Sequence, residues 1–465
     1  MKFKWAAVAV LSILVVAAGI WVYLVKFERE KPTLQLLPDK QYIGENLGIK
    51  VEDQKSGIAE VQVEVTQKGK SVILLSEKYP KETHRVEKTL TLRPLPKDLQ
   101  DGEAQIKISA KDHSWNWGNP VVLEKKAIID TTPPQLAVLG AQHYANRGGA
   151  GMITYQISEE APLNGVKVGD LFFRGFGVAK DRYLAYFAIP VDSSSNTSTL
   201  AIAEDHAGNK TNSGFRLMIR PKAFPKDKIQ ITDSFLNNLL PYFTEKDPNL
   251  KGSPLEIVLA VNRNQREKDH QEIKRLCQES AMQPLWSGLF LRLPNAKPMA
   301  SFAQDRTYVY NGKEVDRQLH VGVDLASFAQ AQIPAANSGR VVFAGPLGIY
   351  GNTVMIDHGC GLFSMYSHLG RIETEVHKEV KKGDPLGRTG STGMAGGDHL
   401  HFAMLINGVF VNPIEWWDEH WIKDNIERKM RWLAESPRPE PGKQAVKETK
   451  PKERTKKPTR KAGRQ

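Results

Sequence analysis

The first hydrophobic feature of the chain is a run of 21 uncharged residues from Trp5 to Val25. At 1.5 Å per residue, a helix of this length spans the roughly 30 Å hydrocarbon core of a bilayer. Trp5 and Trp21 lie near its ends, as aromatic residues do at membrane interfaces. A cleaved signal peptide, with Val16–Ala18 as its cleavage site, is the alternative, but its apolar region should be only about 7–15 residues long. The pattern favours a retained transmembrane helix at residues 5–25.

Further along, apolar and polar positions alternate in the manner of half-buried β-strands, most clearly at Val61–Val65 and Gln105–Ser109. Asp112 and Asp205 each lie in an Ala-x-Asp-His sequence that is followed by Gly-Asn. They are 93 residues apart, which is close to the length of one immunoglobulin-like sandwich.

The two copies of this sequence are separated by Asp130–Pro134, whose prolines cannot continue a sheet ladder. The pattern resembles bacterial immunoglobulin-like repeats, which often join through a Thr-Pro-Pro segment. It predicts one module at residues 32–132 and a second at 133–221. A single larger β domain is the alternative.

Residues 222–286 have helical character and predict a short connector. Thr232 can cap a first helix, and a second helix is expected from Pro254 to Ser280. The sequence leaves open whether this connector only spaces the domains or also covers a site. From 287 to 428 short strands and many glycines predict a further β-rich domain, with a terminal helix that opens near Trp416.

The formal net charge of +12 is concentrated at the ends of the chain: residues 1–31 carry +3 and residues 436–465 carry +8. The body is therefore almost neutral. Residues 436–465 have almost no apolar side chains, which predicts a disordered tail. No aromatic residue interleaves its cations, so nucleic-acid binding is not expected. The two cysteines, Cys277 and Cys360, exclude a disulfide scaffold, and the sequence leaves open whether they pair.

Histidines are concentrated in the last third of the chain. His320 and Asp324 are four residues apart in an alternating segment that predicts one strand, with both side chains on one face. His399 and His401 repeat this arrangement, and His368 lies between the two pairs. Catalytic zinc takes three nitrogen or oxygen ligands and keeps a position for water. His320, Asp324 and one of the last two histidines would supply them.

The segment as a whole resembles the lysostaphin-type zinc metallopeptidases, whose β-rich catalytic domain cuts peptide cross-links in peptidoglycan. The matching stretches run in the family's order: His320–Asp324, Pro334–Gly339, Tyr350–Asn352, Tyr366–Leu369, Gly383–Gly393 and His399–Phe402.

Carried over to this sequence, the resemblance implies that His320, Asp324 and His401 bind one zinc ion. It implies that His368 and His399 are the catalytic histidines. Tyr350 and Asn352 are candidates for substrate contact, although packing or turn roles are equally expected.

The resulting expectation is a mainly β protein: one N-terminal transmembrane helix, two immunoglobulin-like sandwiches, a helical connector and a metallopeptidase domain. Its expected function is zinc-dependent hydrolysis of peptidoglycan peptides. Because that substrate lies outside the cytoplasm, we expect a single-pass inner-membrane protein with its body in the periplasm. The immunoglobulin-like modules are candidate docking sites for envelope proteins. A non-enzymatic regulator that activates another cell-wall hydrolase is the alternative.

Overall fold

The computed structural model of the chain describes residues 2–140 and 142–435, without the side chains of residues 2–8 and 24–25. Strands account for 44% of the residues and helices for 18%, which confirms the mainly β prediction. The tail predicted at residues 436–465 lies outside the described residues.

Helix α1 runs from Lys2 to Lys26. Many of its described apolar side chains are exposed, including Leu11, Leu14 and Trp21. Within the described part of the chain, no helix meets the length and apolarity that a membrane span needs. The transmembrane segment expected at residues 5–25 therefore stays a prediction.

The first β region consists of two sheets that enclose one apolar core. Its strands are β1 (Thr33–Leu37), β2 (Tyr42–Ile43), β3 (Asn46–Glu52), β4 (Ile58–Gln67), β5 (Lys70–Lys78), β6 (Arg85–Thr91), β7 (Gly102–Asp112) and β8 (Val121–Ile129). One sheet has the order β1-β3-β6 and the other β2-β8-β7-β4-β5. The alternation predicted at Val61–Val65 and Gln105–Ser109 is confirmed, because the apolar residues of both runs are buried on β4 and β7.

The second β region also has two main sheets. Its strands are β9 (Leu136–Val138), β10 (His143–Asn146), β11 (Ala150–Ile157), β12 (Leu163–Val168), β13 (Leu171–Arg174), β14 (Phe176–Ala179), β15 (Arg182–Ala188), β16 (Thr199–Glu204), β17 (Lys210–Gly214) and β18 (Leu217–Arg220). The sheets have the orders β14-β15-β11-β9 and β13-β12-β16-β17, and β10 pairs with β18 in parallel. The immunoglobulin-like assignment of the two regions stays a prediction.

Three helices follow: α2 (Asp233–Thr244), α3 (Pro254–Ala260) and α4 (Arg266–Leu276). The Thr232 side chain accepts a hydrogen bond from the backbone N–H of Phe235, so the predicted cap of α2 is confirmed. The second predicted helix ends at Leu276 rather than Ser280. It is divided by a π-helical turn at Val261–Gln265, which separates α3 from α4.

The remaining strands form three sheets. They are β19 (Lys226–Ile231), β20 (Lys297–Ala300), β21 (Asp305–Tyr310), β22 (Lys313–Leu319), β23 (Val323–Ala326), β24 (Gln332–Pro334), β25 (Gly339–Leu347), β26 (Gly351–Asp357), β27 (Leu362–Leu369), β28 (Arg371–Ile372), β29 (Glu379–Val380), β30 (Pro385–Arg388), β31 (Leu400–Ile406) and β32 (Val409–Val411). The largest sheet has the order β20-β23-β31-β27-β26-β25-β29, with β32 also on β31. Smaller sheets have the orders β19-β21-β22 and β24-β30-β28.

The two cysteines are separate thiols. Cys277 and Cys360 are both buried and form no disulfide. Cys360 donates a hydrogen bond to the carbonyl of Met282 at 3.4 Å. Burial raises the pKa of the Cys360 thiol to about 12, so it stays protonated at neutral pH.

The second β region and the C-terminal part of the chain share one apolar core. Trp416 is fully buried and packs against Tyr186 of β15, with ring centroids 6.2 Å apart. The chain then forms α5 (Glu419–Ile422), a π-helical turn (Lys423–Glu427) and α6 (Arg428–Glu435). Lys429 of α6 donates to the carbonyl of Met152 on β11 at 2.7 Å. These contacts attach the last helices to the second β region.

Glu415 lies in the same interface, is 5% exposed and accepts a hydrogen bond from the backbone N–H of Ala150 at 2.7 Å. Burial raises the pKa of Glu415 from 4.5 to about 7. Because the folded-state pKa is the higher one, the stability that this group contributes is fully present below about pH 4.5. It is lost as the pH rises through about 7.

We therefore expect Glu415→Gln to flatten the pH dependence of unfolding between pH 4.5 and 7. Between pH 4 and pH 8 the stability difference between variant and wild type should shift by about 3 kcal/mol in favour of the variant, since each pKa unit is worth about 1.4 kcal/mol. Thermal unfolding across this pH range measures it. Glu419→Gln, at an exposed position four residues along, should keep the wild-type profile. A Glu415→Gln profile that parallels the wild type would contradict the assignment.

Candidate metal centre and active site

One pocket of about 240 Å³ contains every side chain predicted to bind metal or to act in catalysis. These are His320, Asp324, His368, His399 and His401. They come from loops and strands spread over more than 80 residues, so the fold of the largest sheet brings them together.

The register of this sheet sets two of the positions. Asp324 on β23 is the pairing partner of His401 on β31, and side chains of directly opposed residues share a face. His401 is in turn paired with Ser367 on β27, immediately before His368. His399 and His401 face the pocket while Leu400 is buried in the core, as the alternation predicts.

Three ligand-type atoms converge in the pocket. His320 Nε2 lies 3.0 Å from Asp324 Oδ1 and 3.0 Å from His401 Nδ1, and the last two atoms are 2.9 Å apart. Among the described residues, these three side chains form a group that could hold a metal ion. A set of two imidazole nitrogens and one carboxylate oxygen matches the ligands that zinc uses in catalytic sites.

Two contacts outside the trio orient it. His320 Nδ1 is 2.9 Å from the carbonyl oxygen of Ser301. A carbonyl can only accept a hydrogen bond, so Nδ1 carries the proton. In the neutral ring, Nε2 of His320 is therefore the nitrogen with the lone pair, and it faces the other two atoms. Arg306 Nη2 donates to Asp324 Oδ2 at 2.9 Å, so Oδ1 is the carboxylate oxygen left for the trio. Partners of this kind fix the orientation of metal ligands.

The charges within the group are strongly coupled. Burial alone would raise the pKa of Asp324, but His320 and His401 outweigh it and hold this pKa well below its usual range. Burial lowers the pKa of His401 to about 4, against the opposing effect of Asp324. The site therefore combines one carboxylate with a neutral imidazole at His401, which is the protonation state that metal binding requires.

His368 and His399 lie beside the trio, with their ring centroids 4.9 Å apart. Each has its Nδ1 close to a backbone carbonyl: Thr392 for His368 and Gly397 for His399, both at 2.8 Å. In the neutral form of each ring, Nδ1 is then the protonated nitrogen and Nε2 is the acceptor. Burial, followed by the neighbouring histidines, lowers the pKa of His368 to about 3.

His368 departs from regular strand geometry. Its φ is +64°, a left-handed conformation that non-glycine residues seldom adopt. Opposite it, the register of β26 shifts between Asn352 and Val354, which is a β-bulge. A regular strand would direct Ser367 and His368 to opposite faces, so this irregularity decides where the His368 ring points. Backbone strain of this kind concentrates at functional sites.

The prediction of one strand through His320 and Asp324 is wrong in part. Strand β22 ends at Leu319 and β23 begins at Val323, so His320 and Asp324 converge across a bend. Gly322 lies in this bend, and a Cβ atom there would be 2.5 Å from His401 Nε2. The close approach of the His401 ring therefore requires glycine at this position.

The two predicted substrate contacts already have partners within the chain. Tyr350 lines the pocket but is 3% exposed, and its hydroxyl lies 2.9 Å from His270 Nε2. Burial raises the pKa of Tyr350, which keeps it a neutral phenol. The side-chain amide of Asn352 donates to the carbonyl of Leu369 at 3.1 Å. Substrate contact by either residue stays a prediction.

Residues upstream of His320 also build the pocket, which sequence reasoning missed. Phe235 of α2, Arg266 of α4 and Arg306 of β21 line it. Helix α4 is attached next to the site, because Asp269 accepts from the backbone N–H of Ile349 at 2.8 Å. No local pattern marks these residues, since their role depends on the packing of distant segments.

The comparisons with known proteins agree on this region. Residues 318–413 match the model of peptidase family M23. The DD-carboxypeptidase/endopeptidase Mpg of Neisseria meningitidis serogroup B is 39% identical over 97 residues, which are 21% of this chain and 22% of that protein. The murein hydrolase activator NlpD of Salmonella dublin is 36% identical over 96 residues, 20% of this chain and 25% of its own.

Among solved structures, the catalytic domain of the antimicrobial peptidase lysostaphin from Staphylococcus simulans is 28% identical, with a TM-score of 0.23. The alignment covers 26% of this chain and 92% of that domain. The chain spans about a fifth to a quarter of the length of the curated relatives it matches. Residues 318–413 of this chain, which contain the whole trio and both neighbouring histidines, are a domain of peptidase family M23.

Proposed function

We propose that the chain is a zinc metalloendopeptidase that hydrolyses peptide bonds in peptidoglycan. The observation that carries this proposal is the convergence of His320, Asp324 and His401 within 3.0 Å, beside two further histidines in one pocket. The M23 match and the relative from Neisseria, whose name describes a carboxypeptidase and endopeptidase, support the same reaction class.

The donor set fits zinc. Three lone-pair atoms lie at mutual distances of 2.9–3.0 Å, where they would repel one another without a shared proton or cation. His320 Nε2, Asp324 Oδ1 and His401 Nδ1 would hold the ion. Zinc bound at such a site lowers the pKa of water and polarises a carbonyl group.

The two pocket histidines outside the trio, His368 and His399, are assigned to proton transfer and to charge stabilisation. Since Nδ1 of both His368 and His399 is directed to a backbone carbonyl, Nε2 is the atom that accepts a proton from water or donates a hydrogen bond to a developing oxyanion. The carbonyls of Thr392 and Gly397 hold the two rings in these tautomers. His368 is kept neutral by burial, as an acceptor must be.

The wall of the pocket suits an anionic peptide. Arg266 lines it and, among the described residues, has no carboxylate within 4.0 Å; its Nη2 donates instead to Asn262 Oδ1 at 2.6 Å. Asn262 is buried and is itself fixed by Asp316 at 2.7 Å. A guanidinium held in this way is preorganised for a carboxylate, such as those that peptidoglycan stem peptides carry.

The substrate also determines the proposed location. Peptidoglycan lies outside the cytoplasmic membrane, so we place the body of the protein in the periplasm. The uncharged run at residues 5–25 supports an inner-membrane anchor. Contacts of the two β regions with envelope proteins belong to the same proposal.

A non-enzymatic activator of a cell-wall hydrolase is the second candidate. The relative from Salmonella, whose name describes a murein hydrolase activator, favours it. The presence of all five predicted metal and catalytic side chains in one pocket favours the enzyme.

We expect the purified full chain to contain one zinc ion and to release soluble peptide fragments from sacculi. His401→Ala should lose zinc and reduce the cleavage rate by at least 10³-fold, since it removes a metal ligand. Metal analysis and mass spectrometry of the products measure both effects. His420→Ala, an exposed histidine on α5, is the matched control and should behave as wild type. Equal product release by His401→Ala and wild type would refute the enzyme.

Arg306→Gln should weaken zinc binding by 10–100-fold, because Asp324 loses the partner that fixes its carboxylate. Competition with a chromophoric chelator measures the affinity. Arg317→Gln is the control, because Arg317 is an exposed arginine on the neighbouring strand β22 that pairs with Asp305 and not with Asp324. Unchanged affinity in Arg306→Gln, or an equal loss in both variants, would argue against this role.

His399→Ala separates the enzyme from the activator. Because His399 is outside the trio, the variant should retain zinc and its fold but lose cleavage by 10²–10⁴-fold, the usual contribution of acid–base catalysis. In cells it should then fail to replace the wild-type gene. Full complementation by His399→Ala, together with a defect on deletion of residues 318–413, would favour the activator.

A further inference from the structure

The repeated Asp-His…Gly-Asn sequence has the same structural task in both β regions. In the first, Asn119 Nδ2 donates to Asp112 Oδ2 at 2.9 Å and to the backbone carbonyl of Glu28 at 2.8 Å. In the second, Asn209 Nδ2 donates to Asp205 Oδ2 and to the carbonyl of Asp130, both at 2.8 Å. Each asparagine thus fixes the segment that enters its own β region.

A group of three carboxylates lies next to each of these two asparagines. The first group consists of Glu28, Asp53 and Asp112. One carboxylate oxygen of each residue lies within 4.8 Å of the other two, and the same holds for the second group. The second group, at the entry to the second β region, is Asp130, Glu159 and Asp205. Each group contains the aspartate of the repeated sequence, Asp112 in the first and Asp205 in the second.

The first group is the more buried. Glu28, Asp53 and Asp112 are 7%, 4% and 3% exposed. In the part of the chain that the structure describes, no Lys or Arg nitrogen lies within 4.0 Å of these carboxylates; the nearby Lys55 pairs with Glu30 instead. Three buried negative charges at this separation, without a cation, are strongly unfavourable.

The three carboxylates differ in how well their oxygens are hydrogen-bonded. Glu28 is 7% exposed, and its Oε1 is buried without a hydrogen bond within 3.5 Å, although the Ser56 hydroxyl is close enough to favour the charged form of this carboxyl. By contrast, Asp53 Oδ1 accepts from the backbone N–H of Gly57 at 2.7 Å, and Asp112 Oδ1 accepts from that of Ser114 at 2.9 Å. The two aspartates are therefore fixed, whereas Glu28, the third member of the group, has a buried oxygen without a hydrogen bond at ordinary distance.

We propose that Glu28, Asp53 and Asp112 bind a calcium ion where helix α1 enters the first β region. All the side-chain donors are oxygens, which selects a hard cation over zinc. Calcium accepts irregular sets of carboxylates, whereas magnesium requires a nearly ideal octahedron. Because Glu28 lies two residues after Lys26, the end of α1, the bound ion would fix the junction between the helix and the β region.

The test uses the full chain, freed of calcium and then titrated with it. Equilibrium dialysis with ⁴⁵Ca²⁺ should give one more ion per wild-type chain than per Glu28→Gln chain, with at least tenfold weaker binding at this site in the variant. Trp115 lies three residues after Asp112 and packs against Phe27, with ring centroids 6.0 Å apart, so it can sensitise terbium luminescence at this site. That signal should disappear in Glu28→Gln.

A stability measurement separates ion binding from a structural effect. Without calcium, Glu28→Gln should be at least as stable as wild type, because it removes one of three repelling charges and keeps an amide oxygen that can accept from the Ser56 hydroxyl. With calcium, the wild type should gain thermal stability and Glu28→Gln should not. Asp98→Asn, which changes an exposed carboxylate paired with Lys70, is the control and should keep the wild-type response. Equal calcium binding by wild type and Glu28→Gln, or none by wild type at millimolar calcium, would overturn the proposal.

Discussion

The site depends above all on the pairing of β23 with β31, which sets Asp324 directly opposite His401. Side chains alternate along a strand, so a register shift of one residue would direct either Asp324 or His401 into the core. The three metal-ligand atoms would then no longer lie together. The register is held by what lies on the other face: Val323, Leu325 and Phe402 are 2%, 0% and 2% exposed. The apolar core and the polar site are therefore two faces of the same pairing.

The histidines outside this pairing depend on irregular backbone. The bend at Gly322 brings His320 to Asp324, and the bulge at His368 turns its ring towards His399. Each departure from regular strand geometry has a local cause: glycine where the His401 ring approaches, and a register shift opposite His368. The upstream segment then completes the pocket with Arg266 and Arg306, which add positive charge next to the site.

The sequence could predict what depends on local pattern. Alternation identified β4 and β7, and it placed His399 and His401 on one face with Leu400 on the other, because burial on a strand follows a period of two. It could not predict the bend at His320–Gly322, since the residues alone read as a regular strand.

Long-range packing was equally inaccessible to sequence reasoning. Arg306 reaches Asp324 from another sheet, and Glu415 reaches Ala150 across 265 residues. The Asp-His…Gly-Asn repeat was visible in the sequence. Its effect, a carboxylate group at the entry to each β region, depends on which backbone carbonyl each asparagine meets.

We propose that His320 Nε2, Asp324 Oδ1 and His401 Nδ1 hold a zinc ion, and the whole catalytic assignment depends on that ion. Crystallographic anomalous difference maps, recorded on either side of the zinc absorption edge from the protein as purified, test it most directly. We expect one strong peak about 2.0–2.2 Å from all three atoms. A map without a peak there, in crystals that retain the fold and contain zinc elsewhere, would contradict it.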